Sequence, residues 1–69
     1  MTVTMKIPFT NDYVKAKVFV WGTIANPQIE LEYKHDGMNH VRRVTVDQAE
    51  QLGITKYSQP FKILAACQV

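Results

Sequence analysis

Apolar and polar positions alternate from the first residues of the chain. Val3, Met5, Ile7 and Phe9 share one register and Thr2, Thr4 and Lys6 the other, the two-residue beat of a half-buried strand. Pro8 has no N–H to give a ladder and puts the end of that strand at a sheet edge; Thr10 to Asp12 reads as a turn. From Val14 to Ile24 runs the most β-prone segment, rich in Val, Phe, Trp and Ile, closed by the turn signal at Asn26 and Pro27. Ile29, Leu31 and Tyr33 then alternate with Gln28, Glu30, Glu32 and Lys34, the plainest amphipathic strand in the sequence.

Two signals compete in the next stretch, "HDGMNH". Asp-Gly is a strong cue for a two-residue hairpin turn, but a turn at Asp36 and Gly37 sets Leu31 opposite Arg42 and Glu32 opposite Val41, mixing the faces. A four-residue loop from Asp36 to Asn39 instead pairs Leu31 with Val44, Ile29 with Val46 and Glu32 with Arg43. Since a one-residue slip exposes a whole apolar set, the pattern favours the longer loop.

The period changes at "VDQAEQLGI". Asp47 with Glu50 three residues on has capping-box spacing, Ala49 and Leu52 face one way, and Gly53 supplies a stop, so a helix of one to two turns is expected, plugging one end of the sheet together with Ile54. "TKYSQP" reads as a loop. In "FKILAACQV", Ile63 to Cys67 are apolar on both registers, as in a strand covered on both sides. This order predicts a mainly β single domain over residues 1–69, a small five-stranded antiparallel barrel of the SH3-like or Sm-like kind with one short helix before the last strand. Closure would remove the edges of so small a sheet. The alternative is an α+β open antiparallel sheet with the helix on one face. "IELEY" and "RRVTVDQAEQLGI" followed by "FKILAAC" resemble the strand order of WYL-type barrel domains; the Trp-Tyr-Leu triplet and that family's final strand have no counterpart, and no function is taken from the likeness.

One strand poses a question. In "VKAKVFVWG", Val14, Ala16, Val18 and Val20 hold one register, leaving Phe19 and Trp21 to share the other with Lys15 and Lys17. The rings belong to the core of a strand buried on both sides, or a bulge turns them inward, or they stand on the surface.

Composition narrows the setting. The chain has 69 residues, 46% apolar and 20% charged, with a net charge of +2 and one cysteine. Such a chain is globular, hides only about 60% of its unfolded surface and has no internal disulfide to staple it. No secretory leader and no run of about 18 apolar residues is present, so no membrane partner is expected. The lone thiol suits a reducing, cytoplasmic compartment, which would be the host cytoplasm for a phage-encoded chain.

Little in the sequence supports catalysis. Cys67 falls in an apolar segment whose burial would leave a thiol inert, and the candidate bases His35 and His40 flank a distant loop. No phosphate-binding glycine loop, nucleophile elbow or HExxH motif occurs. His35, Asp36 and His40 lack the four paired ligands of a zinc site, so neither an enzyme nor a metal or other cofactor is expected. The residues left for contact are Lys15, Lys17, Phe19, Trp21, Glu30 and Glu32 on the outward registers, with Lys34, Arg42 and Arg43 at the hairpin. Aromatics set within mixed charges match the apolar centre and polar rim of a protein interface, whereas Glu30 and Glu32 would repel a phosphate backbone.

The expected function is a small non-catalytic protein-binding module. With Met1 at its start and no tails, the chain reads as a whole gene product of the kind common among phage and mobile-element accessory proteins, which include inhibitors of host enzymes and anti-CRISPR proteins. The alternatives are nucleic-acid binding through Lys15, Lys17, Phe19, Trp21 and the Arg42/Arg43 hairpin, and a self-associating homo-oligomer.

Overall fold

The computed structural model describes residues 1–67. Four antiparallel strands, β1 (Thr2–Lys6), β2 (Tyr13–Gly22), β3 (Pro27–His35) and β4 (Met38–Val44), form an open meander in the order β1-β2-β3-β4, followed by α1 (Val46–Gln51) and α2 (Gln59–Cys67). The sheet does not close, so the open-sheet alternative holds and the five-stranded barrel is overturned.

The cause lies in the last segment. Phe61 and Leu64 are the buried residues of α2, a spacing of three that places both on one helical face, with Ile63 left exposed. The carbonyl of Ser58 accepts from the amides of Phe61 and Lys62, and Pro60 sits in the first turn, where its missing N–H costs nothing. An apolar run that satisfies both strand registers also satisfies a helix, and here the helix wins. The last two positions of the expected strand, Gln68 and Val69, lie outside the described residues. Cys67, expected to be buried, is exposed at the end of α2.

The core lies on one side of the sheet. Val3 and Met5 of β1, Ala16 and Val18 of β2, and Ile29, Leu31 and Tyr33 of β3 form one buried cluster with Ala49, Ile54 and Phe61. α2 packs against β2, and α1 against β3 and β4. Full burial of side chains such as Met5, Ile29 and Leu31 stabilises the fold by about 1.5–3 kcal/mol each.

Three local motifs fix the path. The β3–β4 hairpin turns at Asp36 and Gly37, with φ values of 53° and 76°, the positive pair of a type I′ turn. His35 therefore opposes Met38, Leu31 opposes Arg42 and Glu32 opposes Val41, and the four-residue loop is overturned. Turn chemistry prevails because β4 is an edge strand whose side chains are mostly exposed; its apolar pattern has little burial with which to set the register.

α1 is capped by Thr45 and Gln48, two residues before the expected box. Thr45 Oγ1 accepts from the Gln48 amide at 3.1 Å and Gln48 Oε1 from the Thr45 amide at 3.0 Å. At the other end the Gly53 amide donates to Glu50 O and the Ile54 amide to Ala49 O, a Schellman closure that requires the φ of 90° at Gly53.

Between β1 and β2, Ile7 O accepts from the amide of Thr10 at 3.2 Å. Pro8 occupies the second position of this turn and Phe9 the third, at φ 64°, where a type II turn ordinarily takes glycine. Phe9, placed on the buried register by the alternation, is fully exposed, because the strand ends at Lys6 and the turn reverses it. A left-handed non-glycine residue costs about 1–2 kcal/mol.

Candidate functional site

With both helices on one side, the other face of the sheet carries no covering element among the described residues. Opposed residues of an antiparallel pair share a face. The register of Thr4 with Lys15, Thr2 with Lys17 and Glu32, and Phe19 with Glu30 and Arg43 gathers these side chains on the outer surface, with Trp21 against Gln28. β2 keeps its regular pleat, and this answers the question its sequence raised. Phe19 and Trp21 stand outside, 46% and 38% exposed, neither bulged inward nor sealed.

Six of the contact candidates are brought together there: Lys15, Lys17, Phe19 and Trp21 from β2, and Glu30 and Glu32 from β3. Lys34 and Arg43 join them by register. Arg42 does not, since it opposes Leu31 and so lies on the core side, at the exposed edge. The expected Glu32–Arg43 pair is also overturned: Arg43 opposes Glu30, and its guanidinium carbon sits 5.3 Å from the centroid of the Trp21 ring. Such a cation–π contact at an exposed site is worth about 0.5–1 kcal/mol. It steadies the indole while leaving it accessible.

The sequence reading missed two members of this surface. Tyr13 begins β2 on the outer register, opposite Lys6, and is exposed; the alternation continues back to it from Lys15, but the preceding turn signal masked it. Val41 lies on the outer face in the expected register as in the observed one, and is exposed between Asn39 and Arg43; an aliphatic residue among the hairpin charges gave no contact signal of its own.

The charges on this face form no close ion pair among the described residues, although Lys17 lies opposite Glu32 and Arg43 opposite Glu30. Among the described residues the one ion pair is His35 Nε2 with Asp36 Oδ2, 3.3 Å apart at the hairpin turn when the imidazole is protonated. Lys15, Lys17, Lys34, Glu30 and Glu32 therefore hold their charges with no internal ionic partner among the described residues. His40 stacks on Tyr33 at 5.2 Å between centroids, with His35 a further ring away at 6.3 Å. No group of three or more His, Cys, Asp or Glu side chains able to hold a metal ion occurs among the described residues, and no described helix is long and apolar enough to cross a membrane.

No family model, no curated protein and no solved structure matches this chain.

Proposed function

We propose that the protein is a non-catalytic binding module that lays the outer face of its sheet on a larger protein and covers a site there. The observation that carries this reading is the one-sided packing of the helices, which leaves Phe19 and Trp21 exposed at the middle and end of β2 among charged side chains that form no close ion pair among the described residues. Burying two aromatic rings supplies affinity, since tryptophan and tyrosine dominate interface hot spots. The surrounding Lys15, Lys17, Glu30, Glu32 and Arg43 supply register and discrimination, because each charge left unmatched by a wrong partner is costly. Steric inhibition of an enzyme or defence complex is the activity we assign to it, on the ground that small single-domain accessory proteins often act in that way.

The test is affinity capture from a lysate of the natural host with wild type, Trp21→Ala and Phe19→Ala, all verified as folded. A partner recovered by wild type and lost by both variants is the expected result; equal recovery by all three counts against this face.

A second reading has a specific observation in its favour. The outer registers carry Lys6, Lys15, Lys17, Lys34 and Arg43 against Glu30 and Glu32, five cations less two carboxylates, a face charge of +3 beside the chain's total of +2. Tyr13, Phe19 and Trp21 lie along one strand among these lysines, an arrangement suited to stacking single-stranded bases. Glu30 and Glu32 on the central strand speak against it. Its mark would be an affinity for a single-stranded oligonucleotide that falls with salt by about 0.7 logarithmic units per phosphate contacted, and an absence of binding at low salt removes it.

A further inference from the structure

The molecule carries a knob at one end and a hole at the other. The knob is Phe9. It is fully exposed at 106% of its reference area, in a left-handed conformation that suits glycine better. Its turn is nonetheless braced: Thr10 Oγ1 donates to Ile7 O at 2.9 Å, the Asp12 amide donates to Thr10 Oγ1 at 3.2 Å, and the Ile7 amide donates to Asp12 O at 2.9 Å. A rigid turn thus projects an aromatic ring with no contact inside its own chain to justify the strain.

The hole is an open, mainly apolar cleft of ≈ 950 Å³ between α1, α2 and the β2–β3 turn, lined by Val46, Ile54, Tyr57 and Phe61, with Glu50 and Lys56 bringing charge to its walls. Phe9 follows β1 at the end of the sheet where β2 starts, whereas the cleft lies where β2 ends. The ten residues of β2 separate them by roughly 30 Å, so Phe9 does not reach the cleft of its own chain.

We infer that Phe9 of one copy seats in the cleft of a second copy. The charges allow the same pairing. Lys6 and Asp12, both exposed, lie three residues to either side of the knob, and exposed Glu50 and Lys56 line the hole, so each element offers one cation and one carboxylate to the other. Because knob and hole are different surfaces at opposite ends, the contact is either made twice in an antiparallel side-by-side dimer or repeated head to tail. This self-association uses neither Phe19 nor Trp21 and shares only Lys6 with the outer face.

The experiment is sedimentation velocity or light scattering on the full chain from micromolar to about 1 mM, the weak end of specific association. Wild type is expected to associate as its concentration rises. Phe9→Gly removes the ring and relieves the turn, so it should keep or raise its melting temperature and lose association at least tenfold. Ala65→Trp fills the cleft from an exposed position on α2 and should do the same. Mixed together, the two single variants retain one knob-in-hole contact per pair and should associate more than either variant alone. Trp21→Ala should associate like wild type, which separates this contact from the proposed partner face. A wild type that stays monomeric to about 1 mM, a Phe9→Gly chain that associates unchanged, or a mixture that associates no more than either variant alone overturns the inference.

Discussion

The two faces of β2 and β3 are built from the same ten- and nine-residue strands, yet they solve opposite problems. On the inner face Ala16, Val18, Ile29 and Leu31 are sealed by helices and make the core. On the outer face larger side chains, Phe19 and Trp21, remain accessible, interleaved with lysines and glutamates that find no internal ionic partner among the described residues. Ring size therefore does not decide burial here. The pleat decides it, because a strand in regular register cannot turn a residue to its other face without a bulge, and the small aliphatic residues already hold the inner register.

Substitutions should separate the faces by the size of their effect. Leu31→Ala, which opens a cavity at a fully buried position, should cost about 2–5 kcal/mol, measured by urea denaturation; a loss below about 1 kcal/mol would mean that the inner face is not the folding face. Thr45→Ala removes the cap that starts α1 beneath the same core and should cost about 1 kcal/mol. On the outer face, Trp21→Ala forfeits the Arg43 contact and part of its strand packing, and should cost no more than about 1 kcal/mol while abolishing partner capture. The smallest change is expected for Lys17→Glu, within about 0.5 kcal/mol of wild type. Fluorescence sharpens the comparison without altering the fold: the chain has one tryptophan, so acrylamide should quench the native emission efficiently, and Arg43→Ala should raise the quenching constant by uncovering the ring. A native emission inaccessible to quencher would place Trp21 in the core and remove the contact face.

A second contrast concerns the two turns at the same end of the sheet. At Asp36–Gly37 the residues suit the left-handed angles they adopt, and a strong local cue sets the β4 register against the apolar pattern of an exposed edge strand. At Pro8–Phe9 an aromatic ring holds an angle that favours glycine. The first turn was legible in the dipeptide and was set aside for the wrong reason. The second was hidden, because strand alternation placed Phe9 in the core and only the early end of β1 at Lys6 reveals it as a projection.

By itself the sequence determined the four strands, a short helix within residues 46–53, though with its capping box read two residues late, and the separation of Phe19 and Trp21 from the aliphatic register, since these are local properties written in consecutive side chains. It also placed Lys15, Lys17, Glu30 and Glu32 on that same outer surface. Only the tertiary structure decided that Phe61 to Cys67 coil into a helix and leave the sheet open. A short apolar run is compatible with either form, and a helix this brief is stable only through the surface it covers. The same packing settled which side of the sheet went uncovered, and strand pairing brought Arg43 over the indole, while alternation alone puts the consecutive Arg42 on the opposite face.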